Sequence, residues 1–209
     1  MISSKIPKSL RLMKTIRGVF MGKQSISDLQ EAMYAEDDDE IIIQEEIPEE
    51  CPTCNSHEEL RNLIEKMNVS RKISWLVVHC TATPKKTSVS SILNYWKNNL
   101  GWNNPGYHLI FLPDGSWTLI AEFDIIANGV KGYNFIGLQF SYIGGVDNSG
   151  KPVDNLTPEA KKTMEVAIES TLKRWPHLKT NFQGHRDFPN VAKACPCFDT
   201  KSKFSLLLK

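Results

Sequence analysis

Two histidines and a cysteine set the first question. His79 closes the apolar run Trp75-Leu76-Val77-Val78-His79-Cys80. His185 and Cys195 stand ten residues apart in Gly184-His185-Arg186-Asp187-Phe188-Pro189-Asn190-Val191-Ala192-Lys193-Ala194-Cys195-Pro196. A stretch so rich in turn formers is suited to folding back on itself. Two neutral imidazoles and one thiolate suit Zn2+, at about 2.0 Å for nitrogen and about 2.3 Å for sulfur. Three protein ligands leave the fourth tetrahedral position for water, the catalytic pattern, whereas a fourth side chain closes a structural site. Spacing alone leaves a blander alternative open: a histidine at a strand end is more often structural.

Other residues raise weaker possibilities. Cys51-Pro52-Thr53-Cys54, with His57 close behind, offers three potential ligands and no evident fourth. It reads either as a second zinc site or, more simply, as a thiol pair in a linker. The pair Pro196-Cys197 hints at a zinc deaminase, but that chemistry needs a His-x-Glu element and a Pro-Cys-x-x-Cys spacing, both missing here. The five cysteines are odd in number and fall in two tight groups plus Cys80. That pattern fits a reducing compartment or metal chemistry and not a secreted disulfide framework.

The elements that must position these groups follow from periodicity. Trp75 to Cys80 reads as a buried strand, and Ser90 to Leu100 as a helix with Ile92, Leu93 and Trp96 on one face. Tyr107 to Leu112, the turn Pro113-Asp114-Gly115, and Trp117 to Ile120 read as a hairpin. Ile136 to Ile143 is a further strand, ended by Gly144-Gly145. Thr157-Pro158-Glu159 opens a helix that runs to about Trp175, with threonine as cap and proline in the first turn. Strands alternating with helices imply an α/β domain with a central mixed β-sheet flanked by helices.

Charge divides the chain. Residues 1–70 hold 8 Lys+Arg against 14 Asp+Glu, whereas residues 71–209 hold 17 against 10, so the formal total of +1 hides an acidic front and a basic body. A basic body favours an anionic partner such as cell-wall polymer or nucleic acid. The expected domains are an N-terminal extension with an acidic linker, 1–70, and a catalytic domain, 71–209. Within the extension, residues 1–35 carry Leu10, Met13, Ile16, Val19 and Phe20 at helical spacing among basic residues. This segment would meet a membrane surface or a protein partner, or pack on its own domain. Residues 36–50 are an acidic run broken by Ile41-Ile42-Ile43. No apolar run approaches the roughly 20 residues of a membrane span, and Lys14 and Arg17 interrupt any signal-peptide core. Synthesis in a cytoplasm and export by another route are expected.

A resemblance adds to this reading. Val78-His79-Cys80-Thr81-Ala82-Thr83, then Gly106-Tyr107-His108, then Lys193-Ala194-Cys195-Pro196-Cys197-Phe198-Asp199 resemble the successive motifs of one amidase family. These are the N-acetylmuramoyl-L-alanine amidases related to the lysozymes of T-odd bacteriophages and to peptidoglycan recognition proteins. Gly101-Trp102, Lys131-Gly132-Tyr133-Asn134 and Gly144-Gly145-Val146-Asp147 fall in family order between them. The likeness covers roughly residues 72–205; each motif is weak alone, and together they are specific.

The resemblance implies zinc held by His79, His185 and Cys195, a catalytic Tyr107 and a catalytic Lys193. It implies cleavage of the amide between the lactyl group of N-acetylmuramic acid and the L-alanine of the stem peptide. Zinc would acidify a water and polarise the scissile carbonyl. Tyr107 would hydrogen-bond the reacting groups and help a proton reach the leaving amine. Lys193 would set positive charge beside the oxyanion. His108 follows Tyr107 and points to the opposite face of the strand, so it reads as structural or as support for the site. Arg186 or Asp187 would orient a ligand histidine or simply pair in the loop. Cys80 and Cys197 read as small buried residues, and His177 as surface.

The chain departs from the family in two places. Many relatives carry a histidine shortly before the Lys-Gly-Tyr-Asn motif; here the stretch is Ala127-Asn128-Gly129-Val130. Substrate contacts are then expected from Asn128 and Asn134. Phe135-Ile136-Gly137 follows Asn134 at once, without the usual polar insert. The expected function is a phage-encoded zinc amidase serving lysis or wall penetration, made in the host cytoplasm and acting at the periplasmic wall. A non-catalytic peptidoglycan-binding or virion-associated module is the alternative. Peptidoglycan is the expected partner, no nucleic acid is expected, and a monomer is the family default.

Overall fold

The structure is a computed structural model that describes residues 54–209. The expectations for residues 1–35, for the acidic run 36–50 and for Cys51 lie outside the described residues.

Five strands form one sheet: β1 (Trp75–Cys80), β2 (Leu109–Phe111), β3 (Trp117–Leu119), β4 (Gly137–Tyr142) and β5 (Phe182–Gly184). Their order is β3-β2-β4-β1-β5. β1 runs parallel to both β4 and β5, β2 runs parallel to β4, and only the β2–β3 hairpin is antiparallel. The expected mixed sheet is present. Parallel strands are covered on both faces, which is why β1 reads as a nearly unbroken apolar run and every residue of β4, Gln139 and Ser141 included, is buried.

Alternation along these strands sorts the two faces. Leu76, Val78 and Cys80 of β1, Leu138, Phe140 and Tyr142 of β4, and Leu109 and Phe111 of β2 enter the main core. Two helices cover that face. Helix α1 (His57–Lys66) contributes Leu60 and Ile64, and helix α3 (Pro158–Arg174) contributes Ala160, Met164, Ala167, Ile168 and Leu172. On the opposite face, helix α2 (Val89–Asn98) packs Val89, Ile92 and Trp96 on Ile110. Val77 meets Val130 and Phe188 further along. Between these two apolar patches the residues turned to this face are His79, Gln139 and Ser141, all fully buried.

Caps agree with the sequence. Thr157 Oγ1 accepts the N–H of Ala160 at 3.2 Å and Pro158 opens α3. Ser56 Oγ accepts the N–H of Glu59 at 3.1 Å and starts α1. That helix falls within the expected extension, yet Leu60 and Ile64 are fully buried in the main core. Arg174 donates to the carbonyls of Ile64 and Met67 beyond it. The packed unit therefore reaches back past the expected boundary at residue 71. A short helix α4 (Thr200–Lys203) follows the site loop, capped by Asp199. No helix among the described residues is long and apolar enough to cross a membrane.

Candidate metal centre

Each predicted ligand is delivered by the end of a central strand or by the loop beside it. His79 is the fifth residue of β1, in register with Ser141, and is fully buried. His185 follows β5 directly in a short 3-10 turn, where it is 8% exposed. Cys195 returns to it because Arg186 donates its backbone N–H to the Cys195 carbonyl at 2.8 Å. The backbone N–H of Cys80 reaches Cys195 Sγ at 3.2 Å and fixes the sulfur beside the strand end. Cys195 Sγ lies 3.8 Å from His79 Nδ1, and the two imidazole centroids are 4.8 Å apart.

Among the described residues, His79, His185 and Cys195 are the one group of potential ligands whose donor atoms all fall within 4.8 Å of one another. Burial lowers the pKa of His79 to about 4, opposed by its bond to Gln139 and assisted by the charge of Lys193. Burial lowers His185 to about 3, with His79 and Lys193 adding to the effect. Both imidazoles are therefore neutral at physiological pH, as metal ligands must be. The neighbouring sulfurs differ. Its bond to Cys195 and then burial push the Cys80 thiol up, and burial followed by Cys80 pushes Cys197 up to about 12. Two neutral imidazoles and one cysteine sulfur at this spacing fit zinc in donor type and number.

Of the other predicted residues, Tyr107 and Lys193 reach this cluster. Tyr107 packs its ring 5.0 Å from that of His79 and donates its hydroxyl to the Cys80 carbonyl at 3.3 Å. Its pKa stands well above the ordinary value through burial and then through the sulfurs of Cys195 and Cys80. Lys193 is exposed, and its charge reaches both histidines. Asn128 Nδ2 donates to the Asn104 carbonyl at 2.9 Å, and Asn134 Oδ1 accepts the Val130 N–H at 2.7 Å. These bonds pin the loop that borders the site.

His108 is buried on the face opposite Tyr107, where Nδ1 accepts the Gln139 N–H at 2.9 Å and Nε2 donates to the Ile125 carbonyl at 2.9 Å. Asp187 accepts the Gly184 N–H at 2.9 Å and lies 3.7 Å from Arg186, an exposed loop pair. His57 bonds Thr163 at 3.0 Å, and Cys54 donates to Glu59 at 2.5 Å. Neither contact brings these two residues together as ligands. His177 is exposed and meets the Ile73 carbonyl at 2.8 Å.

One contact escapes sequence reasoning. Gln139 Oε1 lies 2.7 Å from His79 Nε2. The available signal is a polar residue in a buried strand, at a position two removed from Ser141 and so on the same face.

Comparison with known proteins decides the family. Residues 69–198 match the family model of the N-acetylmuramoyl-L-alanine amidases. The chain belongs to this family. The amidase is 31% identical over 130 residues to an endolysin of Enterobacteria phage K11, a match spanning 62% of this chain and 83% of that one. It is 33% identical over 129 residues to an endolysin of Enterobacteria phage T3, spanning 60% and 82%. In fold the amidase is similar to the Ph2119 endolysin of a Thermus scotoductus bacteriophage, with TM-score 0.53, 19% identity and coverage of 68% and 90%. Apis mellifera PGRP-SA gives TM-score 0.52 at 17% identity, with coverage of 68% and 86%.

Proposed function

We propose that this amidase is zinc-dependent and that His79, His185 and Cys195 hold the ion. The observation that carries the reading is that their donor atoms, three and no more among the described residues, lie within 4.8 Å of one another. Zinc bound there supplies Lewis acidity, which acidifies a water and polarises an amide carbonyl. The protein's own residues supply the rest. The ring of Tyr107 walls the site against His79. Its hydroxyl, which rests on the Cys80 carbonyl in the free chain, turns to the reacting amide and relays to the leaving amine the proton that the attacking water gives up. The exposed ammonium of Lys193 stabilises negative charge on the carbonyl oxygen. Asn128 and Asn134 contact substrate through the amide atoms that their loop bonds leave over.

The substrate in this proposal is the amide joining N-acetylmuramic acid to the L-alanine of the stem peptide. The phage endolysins among the relatives support a role for a bacteriophage, in lysis or in wall penetration, with synthesis in the host cytoplasm and action at the wall. In this reading the catalytic part extends from α1 to the C-terminal residues, and residues 1–35 of the extension meet a protein partner or a membrane surface. A module that only binds peptidoglycan has less support, because Cys195, Tyr107 and Lys193 are all present. Mass spectrometry of peptidoglycan digested by the full chain tests the reaction. New L-alanine amino termini are expected; new reducing sugars, or no products, overturn it.

A further inference from the structure

Gln139 sits in a slot that only two glycines make possible. A Cβ added at Gly129 would lie 2.4 Å from Gln139 Oε1 and 2.8 Å from its Cγ. One added at Gly137 would lie 2.5 Å from Nε2. Gly129 shows no left-handed backbone that would itself require glycine. What the position needs is room for the glutamine.

The side chain lodged there is fully buried, yet its Nε2 has no hydrogen-bond partner among the described residues. A buried amide nitrogen left unpaired is a cost to folding, and such groups in native proteins call for a reason beyond stability. The partner of the other amide atom supplies one. Gln139 Oε1 faces His79 Nε2 at 2.7 Å, while His79 Nδ1 faces the sulfur of Cys195. A carbonyl oxygen accepts a proton and cannot give one. His79 must then carry its proton on Nε2, which leaves the lone pair of Nδ1 free toward the other two ligands. With the amide reversed, NH2 toward the ring, the proton would move to Nδ1 and close the donor position.

The backbone of the same residue is held as firmly. Its N–H donates to His108 Nδ1, and His108 Nε2 is anchored on the Ile125 carbonyl. Arg71 Nη2 stands 3.2 Å from His108 Nε2 and donates to the Gly137 carbonyl at 2.9 Å. The acceptor that meets His79 thus rests on a chain of bonds that runs from the buried His108 to the half-buried Arg71.

The geometry points to Gln139 as the positioning residue that sets the tautomer and orientation of His79 for metal binding, with Gly129 and Gly137 providing the space it occupies. The inference rests on the zinc reading above, but its first test needs no metal. Long-range 1H–15N correlation spectra of the metal-free full chain at neutral pH report which nitrogen of His79 is protonated. The Nε2–H form is expected in the wild type, and a mixture in Gln139→Leu. An Nδ1–H form in the wild type overturns the inference.

The second measurement is zinc affinity by competition with a chelator. Gln139→Leu is expected to lose about 10- to 100-fold, the usual cost of removing a partner that orients a ligand histidine. Gly129→Ala, whose added methyl displaces the glutamine, should fall in the same direction. Gln139→Glu keeps an acceptor oxygen and should restore most of the affinity. Wild-type affinity in Gln139→Leu, or loss in Gln139→Glu equal to that in Gln139→Leu, would show a packing role only. A wild type that takes up no zinc yet shows the Nε2–H form defeats the metal reading and leaves the tautomer assignment standing.

Discussion

Cys195 Sγ lies 3.8 Å from His79 Nδ1 although the two residues are 116 positions apart in the chain. The approach is fixed from both sides. The N–H of Cys80 holds the sulfur at the end of β1, and Arg186 holds the Cys195 carbonyl beside His185. Any test of the site begins with this pair.

Cys195→Ser and His79→Ala are each expected to abolish stoichiometric zinc and to reduce release of wall fragments from purified sacculi to background. Removing zinc from the wild type with a chelator should do the same, and adding zinc back should restore activity. The measurements are metal content by mass spectrometry and turbidity loss of sacculi. Full activity in Cys195→Ser removes the metal assignment.

Lys193→Ala separates catalysis from binding. Lys193 is exposed and is not one of the three donors, so zinc content should be unchanged. Turnover should fall by about 10²-fold, the usual loss when one group stabilising an oxyanion is deleted. An unaltered rate rejects that role.

His108 makes stability depend on pH. Burial first, and then the charge of Arg71, lower its pKa from 6.5 to about 3 in the folded chain. The unfolded chain therefore binds more protons between those values, and stability rises with pH across that window. The contribution is complete above about 6.5, the ordinary histidine value, and is lost as pH falls toward 3. Urea midpoints of the wild type and His108→Gln across the range from neutral to mildly acidic pH check this. The wild type should lose more of its stability on acidification than the variant.

Helix α1 sets how far the chain can be trimmed. Leu60→Ala or Ile64→Ala should each cost about 2–5 kcal/mol, the range for large-to-small changes in a packed core. Deleting residues 1–66 removes both side chains and should abolish cooperative unfolding. A series of N-terminal truncations followed by thermal unfolding decides it: an unchanged midpoint without α1 would show that the helix is dispensable.

The long elements are legible because their patterns are unambiguous. Trp75 to Cys80 is apolar almost throughout, as a strand covered on both faces must be, and it matches β1 residue for residue. Thr157-Pro158 announces α3 through a cap that the structure shows directly. The start of α1 is harder to see, although Ser56 stands three residues before Glu59 and Leu60, Leu63, Ile64 and Met67 follow at helical spacing. The acidic residues around it make the segment resemble the linker that precedes it. β5 escapes the pattern because Phe182–Gly184 is only three residues long, too short for alternation to show. In the site, His79, His185 and Cys195 stand out by residue type, but Gln139 does not. Its meaning depends on the pairing of Val77 with Gln139, and on the missing side chain at Gly129 whose place the glutamine takes, neither of which is local in sequence.

The alternation of β1 carries an evolutionary consequence. Cys80 and His79 face opposite sides of the sheet, one toward the oily interior and one toward the ligand cluster. Inserting or deleting a single codon within Trp75–Cys80 would trade their places, sending an imidazole into hydrocarbon and a thiol toward His185 and Cys195. Length variation in this lineage should accordingly collect in the connection between β1 and α2, and the strand itself should tolerate substitutions but no change of phase.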